Sequence, residues 1–299
     1  MTDAVRQADA FLARYGLDPR EVDVDACARA FQADMERGLR GEPGAWMLML
    51  PTYLSQEGEL PEDEPIIVID AGGTNFRVGL VTIRSSGVEI EDLKVSPMPG
   101  SQAPISWEEF VDQVAEAVLP LTGRSRKVGL CFSYAAEILP NRDGRVVRFT
   151  KQVQVSGSEG KELGRDISAA LAAKGAPGTS FVVLNDTVAA LLGGVASLRD
   201  ERFDSYIGLI YGTGVNTCYA EWRKALEQVT TPWAAETMLV NMESARFDGA
   251  PMSEFDRRLD RESVDPGLCH YEKMVSGRYQ GDVIYQALRQ AAADGLFSG

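Results

Sequence analysis

Apolar residues near the start of the chain recur every three or four positions, which is the spacing of one helix face. The pattern predicts a helix over residues 5–15 and a second helix over residues 28–39. Gly38, Gly41 and Pro43 are expected to end the second helix, because glycine and proline both interrupt helical backbone. The chain therefore opens with two amphipathic helices.

Past residue 65, short runs of apolar and β-branched residues replace the helical spacing and indicate strands. The acidic, proline-containing segment 55–65 before them is expected to be an exposed connection. In chain order, the pattern predicts strands at 66–69, 76–83 and 88–93, a helix at 107–119 with Ser106 as its N-cap, a strand at 127–132, a long polar loop, a helix at 162–174 and a strand at 181–184. Alternating strands and helices are typical of an α/β fold.

A hairpin with a small-residue turn occurs twice along the chain. The first hairpin joins the strands at 66–69 and 76–83. The second joins strands at 206–211 and 215–221 through Gly212-Thr213-Gly214. The recurrence suggests a duplicated unit, so we predict an α/β fold with two related halves.

Composition places the chain among ordinary globular proteins. Of its 299 residues, 44% are hydrophobic and 25% are charged, and this length is sufficient for two domains, each with its own core. The 30 basic and 44 acidic residues give a net charge of −14. That excess argues against nucleic acid or an anionic membrane surface as the main partner. An anionic small molecule stays compatible where backbone N–H groups, a few cations and a metal ion offset the charge locally.

The cysteine and histidine residues of the chain exclude several kinds of metal and catalytic site. The four cysteines lie far apart without a C-x-x-C pair, which predicts reduced thiols in a cytoplasmic protein and excludes structural zinc. His270 is the single histidine, so histidine-based triads are excluded and a general base is expected to be a carboxylate. We expect no catalytic role for His270. The N-terminus does not have the pattern of a secretory signal, and the apolar stretch at 46–50 is too short to span a bilayer.

Asp70 ends a predicted buried strand and precedes the turn Gly72-Gly73-Thr74. This order suits a phosphate site, because glycines let backbone N–H groups approach an anion, threonine adds a hydroxyl, and aspartate can hold magnesium through water. An ordinary hairpin turn explains the same glycines equally well. The turn at 212–214 raises the same two alternatives, and two such turns facing each other would bracket a polyphosphate.

Asn185 and Asp186 stand where a predicted strand becomes a helix. Ligands bind at the carboxyl ends of strands in open α/β sheets, and an aspartate there can accept a proton from a sugar hydroxyl. The alternative is that Asp186 only caps the helix. Lys151, in a hydroxyl- and glycine-rich loop at 143–160, is either a solvated surface charge or a cation that offsets a triphosphate.

Seven segments, in this order, resemble the eukaryotic-type hexokinase and glucokinase family: DMERGL, MLPTYL, IDAGGTNFRV, SGSEG, LNDTVAALL, IYGTGVNTCYAE and YEKMVSGRYQG. The likeness covers most of the chain. It implies an α/β, actin-like (ribonuclease H-like) sugar kinase fold with a central cleft, a small domain at 62–186 and a large domain from 1–61 plus 187–299. It also implies ATP-dependent phosphorylation of a hexose, with glucose expected, at the 6-hydroxyl.

The resemblance assigns roles by position. Asp186 is the expected catalytic base, and Lys151 is expected to meet charge on the transferred phosphoryl group. The expected sugar-binding residues are Ser133, Thr150, Lys151, Asn185, Asp186, Asn216, Glu243 and Glu272. The expected nucleotide-binding residues are Asp70, Gly72, Gly73, Thr74, Asn75, Arg77, Gly212, Thr213 and Gly214. Magnesium, held by Asp70 through water, is implied together with ATP.

The chain departs from the family pattern at positions that border the expected sugar site: Ala135, Phe149, Gln152, Val153, Ser244, Ala245, Asp248, Gly249 and Cys269. The family's second phosphate motif and its adenosine motif do not occur before Gly299, so we expect a large domain that is incomplete at its C-terminal side. The alternatives to an active kinase are a non-catalytic sugar-binding or regulatory protein and an inactive fragment. The repressor/ROK-type sugar kinases match less well, because their cysteine-rich zinc motif and Glu-x-Gly-His segment do not occur in this sequence.

Overall fold

The computed structural model describes residues 2–57, 61–73, 75–149, 153–198 and 203–297. Within these ranges, the helices are α1 (Asp3–Tyr15), α2 (Val24–Leu39), α3 (Trp107–Val118), α4 (Leu163–Ala173), α5 (Asp186–Ser197), α6 (Glu254–Glu262), α7 (His270–Val275) and α8 (Gly277–Ala293). The strands are β1 (Leu50–Pro51), β2 (Pro65–Ala71), β3 (Asn75–Arg84), β4 (Gly87–Pro97), β5 (Ile105–Ser106), β6 (Lys127–Phe132), β7 (Ala135–Ile138), β8 (Gly144–Arg148), β9 (Val155–Ser156), β10 (Ser180–Leu184), β11 (Ile207–Tyr211), β12 (Val215–Trp222) and β13 (Thr237–Asn241).

Both predicted N-terminal helices are present, and the second ends at Leu39 as predicted, although it begins earlier and Gly38 lies inside it. α2 begins after Asp23, whose carboxylate accepts the backbone N–H of Ala26 at 2.8 Å. The helix continues through Gly38 to Leu39, so Gly38 does not end it. A Cβ at Gly38 would lie 2.3 Å from the carbonyl oxygen of Met47. Glycine is therefore needed at this position for close packing.

The first sheet has the strand order β10-β6-β2-β3-β4. Strands β2, β6 and β10 are parallel, whereas β3 and β4 follow as antiparallel hairpin partners. Helix α3 begins at a capping box formed by Ser106 and Glu109, which confirms the predicted N-cap. Buried side chains of α3 and α4 share one core with this sheet, among them Phe110, Leu130 and Ile167.

The prediction of a long polar loop between β6 and α4 is wrong. Strands β7 and β8 form an antiparallel hairpin in this region, and β9 pairs with β5. Val146, Val153 and Val155 are buried in the core of the first sheet. These apolar residues, set among polar neighbours, hold the segment against the domain by removing their side chains from water.

The second sheet has the order β1-β13-β12-β11 and is antiparallel throughout. Helix α5 follows β10 of the first sheet directly but packs on the second sheet, where Val188 and Leu191 contact buried Cys218 and Leu239. Gly208 of β11 permits this contact, since a Cβ there would lie 2.2 Å from a carbonyl oxygen of α5. The chain therefore passes from one sheet to the other at the start of α5.

Buried apolar residues form separate clusters. The largest cluster draws its buried members from residues 67–183, and the others draw theirs from residues 11–53 and 188–291. This separation is compatible with domains at 62–186 and at 1–61 plus 187–299, whose boundaries stay a prediction. None of the described helices combines the length and the apolar character that crossing a bilayer requires.

Candidate functional site

Three parallel strands of the first sheet end side by side. Cys131 of β6 lies in register with Asp70 of β2 and with Leu184 of β10. Ser133 directly follows β6, and Asn185 directly follows β10. Because parallel strands end at the same edge of a sheet, several candidate residues meet there, at the edge where α/β proteins bind ligands.

Asn185 and Asp186 form the junction between β10 and α5. Asn185 is the N-cap, and its Oδ1 accepts the backbone N–H of Thr187 at 3.0 Å and the hydroxyl of Thr187 at 2.7 Å. Asp186 is the first helical residue, and its Oδ1 accepts the same N–H at 2.8 Å. The alternative in which Asp186 is the N-cap is therefore wrong. A carboxylate in the first turn is stabilised by the positive end of the helix dipole.

The first glycine turn is closed by its own backbone and by a tyrosine. The N–H of Gly72 donates to the carbonyl oxygen of Asn75 at 3.1 Å. The hydroxyl of Tyr134 donates to the carbonyl oxygen of Gly72 at 2.7 Å. Gly73 is half-buried in the same turn between β2 and β3. Tyr134 was not among the expected site residues, although it directly follows Ser133.

Two candidate carboxylates affect the half-buried thiol of Cys131. Burial raises the pKa of the Cys131 thiol to about 12, with further upward contributions from the charges of Asp70 and Asp186 and a hydrogen bond to Ser133 acting in the opposite direction. Arg77 donates to Asp70 Oδ2 at 2.6 Å and offsets part of this negative charge. Both carboxylates therefore lie near Cys131, at the same sheet edge.

The second glycine turn is bound to the region around α7 and α8. The carbonyl oxygen of Gly212 accepts the N–H of Gly277 at 2.8 Å, and that of Thr213 accepts the N–H of Arg278 at 3.3 Å. These bonds join the turn to the first residues of α8. The conformation of the turn therefore depends on a distant part of the chain.

Glu272 of α7 also binds this turn. Its Oε2 accepts the backbone N–H of Val215 at 3.0 Å. A Cβ at Gly214 would lie 2.5 Å from the same oxygen, so the Glu272 carboxylate would have to move to accommodate a side chain there. Glu272, expected to bind the sugar, is engaged in this structure with the second turn.

Amide side chains orient Glu243 at the end of β13. Asn216 Nδ2 donates to Asn241 Oδ1 at 2.8 Å and to Glu243 Oε1 at 3.3 Å, and Asn241 Nδ2 donates to the same Glu243 oxygen at 2.9 Å. Glu243 has a φ of 57°, in the left-handed region, where a residue other than glycine is strained unless its surroundings hold it. Asn241 was not predicted as a site residue. The sequence feature that could have indicated it is a polar residue at the end of an apolar strand.

A cavity of about 670 Å³ lies between the two sheets. Its wall includes Val183 and Asn185 from the first sheet side, and Asn241 and Glu243 from the second. Of the expected sugar-binding residues that the structure describes, Asn185 and Glu243 line this cavity, whereas Ser133, Asp186, Asn216 and Glu272 do not. Two positions that depart from the family pattern, Ala135 and Cys269, also line it.

Three expected site residues, Thr74, Thr150 and Lys151, lie outside the described residues. His270 contacts Asp248, and its Nε2 is 3.4 Å from Asp260 Oδ2. Within the described part of the chain, no group of three or more His, Cys, Asp or Glu side chains is arranged to hold a metal ion.

The two sequence profiles of the hexokinase family match residues 8–195 and 206–299. Hexokinase-3 of Homo sapiens is 32% identical over 300 residues, which cover 95% of this chain and 31% of that protein. Hexokinase-5 of Oryza sativa subsp. japonica is 30% identical over 287 residues, which cover 90% of this chain and 56% of that protein. The chain thus spans between about a third and about half of the length of these relatives.

A hexokinase of Schistosoma mansoni, solved in complex with glucose, has a similar structure. Its TM-score is 0.75 at 24% identity, with 99% of this chain and 69% of that chain covered. A second solved hexokinase gives a TM-score of 0.70 at 22% identity. These likenesses confirm the predicted α/β, actin-like sugar kinase fold with its central cleft. Because one profile alone matches most of the sequence, the chain belongs to the hexokinase family.

Proposed function

We propose that this protein transfers the γ-phosphoryl group of ATP to the 6-hydroxyl of a hexose, glucose being the expected substrate, with Asp186 as general base. One observation carries the proposal: Asn185 and Glu243, which follow strands of different sheets, line one cavity, and Asp186 directly follows Asn185. Membership of the hexokinase family supports it further.

The polar residues at the cleft suit a sugar. A hexose presents several hydroxyl groups, each of which donates one hydrogen bond and accepts others. Glu243 offers acceptor oxygens whose orientation is set by two amides, and Asn185 offers an amide. Closure of the cleft would bring the proposed sugar-binding residues that do not line the cavity into contact with the sugar, and it would exclude water. The proposed sugar-binding residues are Ser133, Thr150, Lys151, Asn185, Asp186, Asn216, Glu243 and Glu272.

The proposed role of Asp186 is to accept the proton of the 6-hydroxyl. As this oxygen forms its bond to the γ-phosphorus, the proton passes to the carboxylate, and the bond between the phosphorus and the departing ADP oxygen breaks. The Thr187 N–H holds Oδ1 of Asp186, which fixes the carboxylate at the helix start. Lys151 is proposed to offset the negative charge of the transferred group.

The nucleotide site is proposed at the two glycine turns. Asp70, Gly72, Gly73, Thr74, Asn75 and Arg77 would form its first half, and Gly212, Thr213 and Gly214 its second. Magnesium would supply charge neutralisation on the phosphates. Asp70 is proposed to hold it through water, because its carboxylate lies beside the glycine turn. Arg77 engages Oδ2 of the same carboxylate. The free thiols of all four cysteines support the expected cytoplasmic location.

A coupled assay of ADP release on the complete protein tests this proposal, with glucose, mannose, fructose and galactose as acceptors. We expect ADP release that depends on at least one hexose. If calorimetry detects hexose binding but no hexose supports ADP release, the protein is a sugar-binding protein without kinase activity. If no hexose binds at all, the proposed function is wrong.

A further inference from the structure

Arg246 lines the cavity on the same side as Glu243, and the proposed function gives it no role. It is the last residue of a single helical turn, Ser244–Arg246, which directly follows Glu243. The backbone N–H of Ser244 donates to Asn216 Oδ1 at 3.2 Å. The turn that carries Arg246 is therefore anchored to the amide that also contacts Glu243.

The guanidinium of Arg246 is held by a backbone carbonyl group of Trp46. Its Nε donates to the carbonyl oxygen of Trp46 at 3.0 Å. The next residue, Phe247, is buried and packs edge-on against Trp46 with ring centroids 5.9 Å apart, and against Phe31 at 4.9 Å. A side chain with one nitrogen bound and its neighbour packed loses little further freedom when it binds a ligand.

The terminal nitrogens of Arg246 keep their donor capacity. Among the described residues, Arg246 makes this one side-chain hydrogen bond, and no described carboxylate lies within the 4.0 Å of an ion pair. The protein carries 44 acidic residues against 30 basic ones, so a cavity arginine with no carboxylate beside it is unexpected. A guanidinium has five N–H donors in a planar fork, and four of them sit on the two terminal nitrogens.

Arg246 is one of four charged residues that line the cavity. The other charged lining residues are Glu137, Arg148 and Glu243. Glu137 pairs with Arg145 at 3.1 Å. Burial raises the pKa of the Cys269 thiol, with a further rise from the charge of Glu272, and the nearby positive charge of Arg246 opposes that rise. Arg246 and Cys269 therefore share one stretch of the cavity wall.

We propose that Arg246 is a hexose-binding residue that determines sugar specificity, its terminal N–H groups donating to hydroxyl oxygens of the sugar. A carboxylate only accepts hydrogen bonds, whereas a guanidinium only donates them. Glu243 and Arg246 on one wall therefore supply both kinds of partner, and a hydroxyl must be correctly placed to satisfy each. This inference rests on the proposed function, because it requires the cavity to take a hexose.

The test compares the wild-type protein with Arg246→Gln by calorimetric titration of D-glucose and of its monodeoxy derivatives. We expect Arg246→Gln to weaken glucose binding roughly 10- to 100-fold, the range for a lost hydrogen bond from a charged donor. One deoxyglucose, lacking the hydroxyl that Arg246 contacts, should bind the variant and the wild type with nearly equal affinity. Arg257→Gln, an exposed arginine on α6 outside the cavity, should leave all affinities unchanged.

The deoxy sugars separate a binding role from a structural one. If the only role of Arg246 is its hydrogen bond to the Trp46 carbonyl oxygen, Arg246→Gln lowers the affinity for every sugar by the same factor. No deoxyglucose then binds the variant and the wild type with equal affinity. That result overturns the inference. Equal glucose affinity in the variant and the wild type overturns it as well, while leaving the proposed function intact. If the wild-type protein binds no hexose, the proposed function itself fails.

Discussion

The backbone N–H of Val215 donates to Oε2 of Glu272 at 3.0 Å, across 57 residues of sequence. Val215 begins the strand after the second glycine turn, and Glu272 lies on α7. Two further backbone bonds, from Gly277 and Arg278 to the turn itself, reinforce this connection. The turn proposed to approach the nucleotide is therefore held by contacts from α7 and from the start of α8.

Glu272→Ala should loosen the second turn without unfolding the protein. The variant leaves the Val215 N–H without its carboxylate acceptor, so local opening becomes easier there. We expect amide hydrogen exchange at Val215 to accelerate by roughly tenfold or more, while exchange in the first sheet stays unchanged. Glu262→Ala, at the end of α6, serves as the control and should not alter exchange at Val215. Unchanged exchange in Glu272→Ala would show that the carboxylate does not hold the turn.

Gly208→Ala should destabilise the packing of α5 on the second sheet. A Cβ there would lie 2.2 Å from the carbonyl oxygen of Thr187 and 2.9 Å from the Leu191 side chain, so the start of α5 must shift. Forcing an added methyl into a packed contact costs about 1–3 kcal/mol. Urea unfolding measures this loss.

Gly193 offers the matched control for that substitution. It lies within α5, and a Cβ added there would meet nothing within 4 Å. Gly193→Ala should therefore stabilise the protein by up to about 1 kcal/mol, since alanine favours helix over glycine. Equal unfolding free energies for the two alanine variants would contradict the close approach of α5 and β11.

Patterns confined to neighbouring residues predicted much of this structure. The hairpin of β2 and β3 follows from a β-branched run, a glycine turn and a second run, all close in sequence. The capping box at Ser106 was likewise readable, because its partner Glu109 is three residues away. Such local signals do not depend on the rest of the fold.

Other features depend on contacts that no local pattern encodes. Asn185 and Asp186 are both good capping residues, and the backbone of Asn185, at φ −74° and ψ 160°, decides that it is the cap. The segment after β6 looked polar, yet three valines that pack into a distant core made it a hairpin and a short strand. The partners of Glu272 and Arg246 lie 57 and 200 residues away in sequence.

The pKa of the Cys131 thiol depends on the carboxylates at the sheet edge. Burial, followed by the charges of Asp70 and Asp186, raises the thiol pKa from its ordinary value of 9.0 to about 12. The neutral thiol is favoured by folding, so this group contributes stability that is complete below pH 9 and is lost as the pH rises toward 12. Cys131 should therefore react slowly with iodoacetamide at pH 8.5 compared with a free thiol.

Asp186→Asn should make the same thiol more reactive. The substitution removes one of the negative charges that raise the pKa of Cys131, so a larger fraction is thiolate at a given pH. Mass spectrometry of the alkylated protein measures the rate at Cys131. The exposed Asp204→Asn variant is the control and should react as the wild type does. If Asp186→Asn leaves the rate unchanged, Asp186 does not lie close enough to Cys131 to share the proposed site.

The most direct test of the account is the turnover of Asp186→Ala measured beside its affinity for glucose. If Asp186 accepts the proton of the 6-hydroxyl, the variant of the complete protein should lose about 10²- to 10⁴-fold in kcat. Its glucose Kd should stay within about threefold of the wild type, because the other polar anchors remain. A variant that keeps wild-type turnover, or one that loses glucose binding and turnover in equal measure, would contradict the assignment of Asp186 as the base.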